Sequence, residues 1–139
     1  MLKSPDLTSE FLNWHGFNRL LGFELVRIHK DGLTIRCRLR PELMNSAGTL
    51  HGGVAASLAD AAVGSALYHR FEGKRRFTTV ELKVNDFRPV TEGRLLARAH
   101  LLGVGSRICV GQVDITDDHR QAVGVAIVTY MLLEAPAQR

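Results

Sequence analysis

The hydrophobic pattern changes its period along the chain and so divides the sequence into helices and strands. Apolar residues at helical spacing predict an amphipathic helix that begins near residues 8–10 and ends near Gly22. Alternating apolar and polar residues then predict two strands, at 23–29 and 33–39, joined by a turn at 30–32. After a second helix the alternation resumes and predicts four more strands, at 78–87, 94–102, 107–116 and 122–133.

The second helix, at 54–68, is the most apolar stretch of the chain. Its residues leave almost no polar face, so we expect it to be buried nearly all round. Asp60 is its only charged residue. A carboxylate in the middle of a buried helix is costly unless it is hydrogen-bonded, paired or retained for chemistry. Asp60 is therefore the first candidate for a functional residue.

The entry to this helix is a second candidate. The sequence His51-Gly52-Gly53 directly precedes the apolar stretch. Exposed N–H groups at a helix N-terminus, without side chains in the way, favour a negative or developing negative oxygen. A buried acid and such a helix start within one motif suggest acyl or phosphoryl chemistry.

The spacing of the two candidates restricts how they cooperate. Gly52 and Asp60 are eight residues apart, which is about 12 Å along an ideal helix. A nucleophile and an oxyanion donor must both lie about 3 Å from one reacting centre. If both residues are catalytic, we infer that the active site is shared between two subunits.

The order of the elements predicts the fold class. The connections between strands outside the apolar helix are short enough for antiparallel neighbours. We therefore expect an α+β domain in which an antiparallel sheet curls around one long central helix. The last strand is apolar on both faces, so it should lie inside the sheet rather than at its edge. Residues 135–139 form a short tail, which we expect to be frayed.

Composition narrows the class of protein without deciding its function. The chain has 139 residues, 45% hydrophobic and 23% charged, as expected for a single globular domain at 1–139. It has no apolar run long enough to span a membrane and no signal-peptide core, so we expect a cytoplasmic protein without a membrane partner. The net charge is +4, but the basic residues are dispersed and no recognition motif accompanies them. Nucleic acid is therefore not an expected partner.

The two cysteines do not indicate a metal site or a disulfide framework. Cys37 and Cys109 lack the spacing of zinc ligands. Cys37 shares one face of its predicted strand with Ile35 and Leu39. We interpret it as a small buried hydrophobic residue rather than a nucleophile.

The motif around the apolar helix carries a resemblance to a known family. The chain resembles the hotdog-fold acyl-CoA thioesterases of the phenylacetate-pathway (PaaI-like) type, in element order over nearly its whole length. The matching positions are Asn45, Gly48-Thr49-Leu50-His51-Gly52-Gly53, Asp60, Thr79-Val80-Glu81-Leu82, Phe87 and Pro89. The resemblance implies a hotdog fold, a homodimer with a continuous sheet, often paired into a homotetramer, and active sites at the subunit interface.

The resemblance also implies catalytic roles for five residues. Asp60 would activate water or attack the thioester, and the Gly52 N–H would polarise the thioester carbonyl. Asn45 and His51 would position the thioester and hold the loop, and they would come from the subunit opposite the Asp60 that they serve. Thr79 occupies the place of a small hydroxyl residue that helps to hold the water.

A second set of residues is implied to contact coenzyme A. It comprises Gly53, Glu81, Phe87, Arg88, Pro89, Gly105, Ser106 and Arg107. Glu81 alternates with Thr79 along its strand, so it either lines the same groove or faces solvent. Coenzyme A is part of the substrate in this interpretation, and neither a metal nor a separate cofactor is implied.

Each candidate also has a structural explanation. Asp60 would form a buried ion pair, and His51 would hydrogen-bond its own turn. Gly52 and Gly53 would also permit tight packing or a positive φ angle. Asn45 would form an Asx-turn, and Thr79 is a residue that strands favour in any case.

Three questions about function stay open, namely the role of Asp60, the class of activity and the acyl group. Asp60 would act either as a general base on water or as a nucleophile that forms a transient anhydride. A non-catalytic acyl-CoA sensor and an acyl-thioester hydratase on the same fold are rival hypotheses. The acyl group, whether aromatic or aliphatic, is not determined by the sequence.

Overall fold

The computed structural model describes residues 5–14 and 16–134, and the predicted tail at 135–139 lies outside that range. Its helices are α1 (Pro5–Trp14), α2 (Gly16–Leu21) and α3 (Gly52–Arg70), with a short 3-10 turn at Pro41–Leu43. Its strands are β1 (Glu24–His29), β2 (Gly32–Arg38), β3 (Phe77–Asp86), β4 (Arg94–Val104), β5 (Ile108–Thr116) and β6 (Ala122–Leu132). Among the described helices, none combines the length and apolar character that a membrane crossing needs.

The six strands form one antiparallel sheet in the order β1-β2-β4-β5-β6-β3, and α3 packs against it. This confirms the predicted α+β class, with a long helix against an antiparallel sheet. β6 lies between β5 and β3, so both of its edges are paired, as the apolar character of both faces predicts. At the residue level, predicted and observed strand ends differ by at most two positions.

One connection differs from the simplest expectation of neighbouring strands. β3 and β4 follow each other in the chain, but β3 pairs with β6 and β4 pairs with β2. Residues 87–93 must therefore pass two intervening strands. Seven extended residues reach about 23 Å, whereas three strand spacings are about 14 Å, so a short connection is long enough.

The core lies between α3 and the inner face of the sheet. Leu33, Ile35 and Cys37 of β2 are fully buried, and they pair with small or aliphatic residues of β4. Residues 62–67 of α3 are all buried, in agreement with the predicted apolar helix. The first half of α3 is different, because Ala56, Ser57, Asp60 and Ala61 are only half-buried. This half-buried stripe forms one wall of a cavity.

The described residues of the N-terminal segment are helical on both sides of position 15, as α1 and α2, and position 15 itself lies outside the described residues. Leu12 is fully buried, but Trp14, Phe17 and Leu20 are 60 to 72% exposed. Helical spacing alone therefore overestimated how much of this segment the chain buries.

A bulge in β3 changes which side chains share a face. The register shifts between Thr79, which pairs with Tyr130, and Glu81, which pairs with Thr129. Tyr130 faces α3, so Thr79 faces α3 as well, whereas Glu81 lies on the opposite face and is exposed. Val80 lies in the bulge and is 51% exposed.

Candidate active site

Asp60 projects from the third turn of α3 and receives hydrogen bonds from two hydroxyl groups. Thr79 Oγ1 donates to Asp60 Oδ1 over 2.8 Å, and the Tyr130 hydroxyl donates to the same oxygen over 2.6 Å. Within the described residues, no Lys, Arg or His pairs with this carboxylate. The ion-pair explanation therefore does not hold for the chain by itself.

Tyr130 is a site residue that the sequence interpretation missed. Its hydroxyl contacts both the side chain of Asp60 and, over 2.9 Å, the main-chain carbonyl oxygen of Asp60. Burial, and then the neighbouring Asp60 carboxylate, raise the pKa of Tyr130 far above its usual value. Tyr130 therefore stays a neutral donor. The signal in the sequence was a tyrosine on the buried face of an apolar strand, because a buried phenol needs a hydrogen-bond partner.

A cavity of about 390 Å³ opens beside Asp60. The half-buried stripe of α3 forms one wall, and Thr79 and Leu82 of β3 contribute to another. Four aromatic side chains complete it, namely Phe11 of α1, Phe17 of α2, Phe77 of β3 and Tyr130 of β6. The cavity thus joins one carboxylate to a largely apolar lining, which suits an acyl group next to a reacting carbonyl.

The start of α3 has the amide arrangement that the sequence suggested. His51 is the N-cap residue, and its Nδ1 accepts a hydrogen bond of 2.9 Å from the Gly53 N–H. A Cβ at Gly53 would lie 3.0 Å from His51 Nδ1, so glycine lets the ring approach the backbone. Within the described part of the chain, the Gly52 N–H has no acceptor. Gly52 therefore presents an unused donor at a helix N-terminus.

Asn45 builds the turn that leads to this donor. Its Oδ1 accepts from the N–H groups of Ala47 and Thr49, each over 3.0 Å, and its Nδ2 donates to Thr49 Oγ1 over 2.8 Å. The Asx-turn explanation is thus correct for Asn45. Asn45 also lines a cavity with Gly52, so the structural role and the predicted role are compatible.

This second cavity, of about 400 Å³, is distinct from the cavity beside Asp60. The predicted strand end contributes Phe87, Arg88 and Pro89 to its lining, together with Asp86. Burial raises the pKa of Asp86. One chain therefore has two cavities at different positions along α3. Asp60 lines one of them, and Gly52, with its free N–H, lines the other. The two cavities do not share a residue.

Arg88 has structural partners of its own. Its guanidinium group pairs with Asp117 and donates to the Ala122 carbonyl oxygen over 3.2 Å. Phe87, next to it, is 58% exposed. Contact of Phe87 and Pro89 with coenzyme A stays a prediction, and Arg88 would have to serve two roles.

Three other predicted contacts with coenzyme A lie far from this cavity in the single chain. Gly105, Ser106 and Arg107 form the exposed turn between β4 and β5, near the beginning of β3. The lining residue Phe87 follows the other end of β3. One chain therefore does not bring Arg88 and Arg107 together.

No group of three or more His, Cys, Asp and Glu residues in the described ranges is arranged to hold a metal ion. The polar groups described above that can take part in hydrolysis are the Asp60 carboxylate, the hydroxyls of Thr79 and Tyr130, and the free Gly52 N–H. These groups can activate water or attack a carbonyl, and they can stabilise a negative oxygen.

Comparisons with known proteins agree with this chemistry. The family model of the thioesterase superfamily matches residues 47–123. The chain is 30% identical to the medium/long-chain acyl-CoA thioesterase YigI of Escherichia coli, over 91% of this chain and 92% of that protein. It is 31% identical to the 1,4-dihydroxy-2-naphthoyl-CoA hydrolase of Escherichia coli, over 85% of this chain and 89% of that protein.

A solved structure confirms the fold. The phenylacetic acid degradation protein PaaI of Thermus thermophilus superposes with a TM-score of 0.77 at 22% identity, over 86% of this chain and all of that chain. The resemblance inferred from the motif at residues 45–60 is therefore confirmed. The chain belongs to the thioesterase superfamily, and it is a thioester hydrolase with the hotdog fold.

Proposed function

We propose that the protein hydrolyses acyl-CoA or aryl-CoA thioesters at sites shared between the two subunits of a homodimer, and that two such dimers pair into a homotetramer. Asp60 of one subunit acts on the thioester carbonyl, and the Gly52 N–H of the other polarises the carbonyl oxygen. The observation that carries this proposal is that Asp60 and the unused Gly52 N–H belong to the same helix, α3, but lie at two separate cavities.

The reaction needs only the groups described and water. In the general-base route, Asp60 takes a proton from water as the water oxygen attacks the carbonyl carbon. In the nucleophilic route, Asp60 attacks the carbonyl carbon itself, and water then cleaves the anhydride. In both routes the C–S bond breaks and the thiolate of coenzyme A takes up a proton. The products are a free acid and a thiol, and no cofactor takes part.

The cavity beside Asp60 supports an apolar acyl group as the substrate. Its aromatic lining from Phe11, Phe17 and Phe77 suits either an alkyl chain or an aromatic ring. YigI is named for medium and long acyl chains, and the other relative is named for an aromatic acyl group. We therefore include both classes in the proposed range of substrates.

Release of free thiol from a panel of alkyl-CoA and aryl-CoA esters tests this function. We expect turnover by the native protein, and we expect Asp60→Asn to lower kcat by about 10²-fold or more, as for loss of a general base or nucleophile. Asp114→Asn is the matched control, because Asp114 is an exposed aspartate of β5 outside both cavities. Absence of thiol release from every ester, or full turnover by Asp60→Asn, would contradict the proposal.

A further inference from the structure

The geometry points to Tyr130 as a positioning residue that fixes the Asp60 carboxylate so that Oδ2, and not Oδ1, acts on the substrate. This inference rests on the proposed function, because it assigns a task to a residue of that same site. Two hydroxyl donors occupy Oδ1. Within the described residues, Oδ2 has no hydrogen-bond donor. Oδ2 is therefore the oxygen left for water or for the thioester carbon.

Tyr130 holds Asp60 at two points. Its hydroxyl oxygen lies 2.6 Å from Oδ1 and 2.9 Å from the main-chain oxygen of Asp60, and its single proton is shared between these two acceptors. A tyrosine that served only the core would need a single acceptor for its hydroxyl, and the main-chain oxygen would suffice. The second contact is the one that orients the carboxylate.

The tyrosine ring is itself immobilised. Tyr130 is 6% exposed, and its ring meets the ring of Phe77 edge-on, at 80° and 5.4 Å between centroids. The bulge in β3 places Thr79 opposite Tyr130, which brings the second donor to the same oxygen. A carboxylate held by rigid neighbours keeps the reactive geometry that catalysis requires.

The sequence of α3 makes room for this hydroxyl. A Cβ at Gly64 would lie 2.7 Å from the Tyr130 hydroxyl oxygen and 3.4 Å from Cζ. Any side chain at this position would displace the hydroxyl but would leave the ring in ordinary contact. A glycine in the middle of a helix is unfavourable. The space that the Tyr130 hydroxyl needs is a physical reason for glycine at position 64.

Two substitutions remove the contact in different ways. Tyr130→Phe deletes the hydroxyl, and Gly64→Ala pushes it away from Asp60 while keeping the phenol. We expect each to lower kcat by about 10-fold to 100-fold, the size of one hydrogen bond to a charged group, with KM changed less than about 3-fold. Tyr68→Phe is the matched control, because Tyr68 is the other tyrosine of the chain and lines neither cavity.

Two further readouts separate positioning from mere support of the fold. A residue that merely supports the fold has no reason to act on kcat alone, so a fall in kcat with KM nearly unchanged in both variants is the first readout. The double variant Gly64→Ala/Tyr130→Phe should have the kcat of Tyr130→Phe alone, because the added methyl group no longer meets a hydroxyl.

The outcomes are distinguishable from those for the proposed function. If the native protein releases no thiol from any ester, the proposed function fails and this inference fails with it. If the native protein is active and Asp60→Asn is not, but Tyr130→Phe keeps its kcat, only the role of Tyr130 is overturned. Should Tyr130→Phe not fold, Gly64→Ala decides alone, and an unchanged kcat in that variant overturns the inference.

Discussion

Asp60 combines two properties that seldom occur together in a helix. It interrupts an apolar stretch, and both hydrogen bonds that it receives come from neutral hydroxyl groups. A structural carboxylate in such a place would gain more from an arginine or lysine. The neutral partners orient the charge without cancelling it, which is the condition under which a carboxylate can still act on water.

The two cysteines differ from Asp60 in this respect, because their surroundings suppress their chemistry. Burial raises the pKa of the Cys37 thiol to about 11, and burial also raises the pKa of Cys109. The reactive species is the thiolate. At pH 8, three pH units below that pKa, only about one Cys37 thiol in a thousand is ionised.

We therefore predict that the folded protein reacts poorly with thiol reagents at pH 8. Ellman's reagent should titrate far less than one equivalent per chain within minutes. In guanidinium chloride it should titrate both Cys37 and Cys109. The reaction of the folded protein should accelerate as the pH rises towards 11, because more thiolate forms. Rapid reaction of either cysteine in the native state at pH 8 would contradict this. Because the cysteines of the folded protein react slowly, they add little to the free thiol that the thioesterase assay measures.

At the scale of elements, the start of α3 joins a structural role to the proposed catalytic one. His51 caps the helix by accepting the Gly53 N–H, and the same turn leaves the Gly52 N–H free. Loss of an N-cap acceptor costs about 1 kcal/mol of stability, and asparagine is a favoured N-cap residue.

We predict that His51→Ala lowers the free energy of unfolding by about 1 kcal/mol, whereas His51→Asn recovers most of that loss. Urea unfolding followed by circular dichroism measures both. If His51 acts by shaping the helix start, kcat/KM should recover together with stability in His51→Asn. A stable but inactive His51→Asn variant would instead mean that the imidazole itself touches the substrate.

The sequence predicted the elements better than their pairing. Alternation placed the strands, and the apolar run placed α3, because both depend on local side-chain periods. Residues 87–93 gave no sign that they pass two strands, since their length fits either topology. The bulge at Val80 escaped notice because it depends on the partner strand, and it places Glu81 on the solvent side, one of the two alternatives that the sequence left open.

Within the site, the motif predicted the residues whose groups are local to one turn. His51, Gly52 and Asn45 lie within a few residues of one another, and their arrangement follows from turn and cap chemistry. Tyr130 lies 70 positions from Asp60. Contact between them needs the β3-β6 pairing and the approach of α3 to the sheet, which no local pattern contains.

At the scale of the whole molecule, the proposed function requires one chain to hold two incomplete halves of a site. The acid half includes Asp60, Thr79 and Tyr130, and the amide half includes Asn45 and Gly52. A single chain does not bring the halves to one carbonyl, because α3 holds Asp60 and Gly52 about 12 Å apart. Two-fold symmetry would pair the acid half of each chain with the amide half of its partner and create two complete sites.

Gly52→Pro offers a direct way to disable the amide half. Gly52 is the first residue of α3, where proline is well tolerated, and the extended backbone of His51 suits a residue before proline. The change removes the N–H and puts a methylene group of the proline ring in its place. Loss of one oxyanion donor costs about 10²-fold to 10³-fold in kcat. Gly52→Ala is the matched control, because it keeps the N–H and its Cβ would meet Asp86 at an ordinary 3.6 Å.

We predict that Asp60→Asn and Gly52→Pro chains complement each other when produced together in equal amounts. Half of the dimers are then mixed, and each mixed dimer has one intact site and one doubly defective site, so activity should reach about one quarter of the native value. Each variant alone should stay near zero, and mass spectrometry checks the ratio of the chains. If the coproduced protein is no more active than its parents although mixed dimers are present, the catalytic groups do not come from different subunits. The proposal of a site shared between two subunits would then be wrong, because every mixed dimer with shared sites contains one intact site.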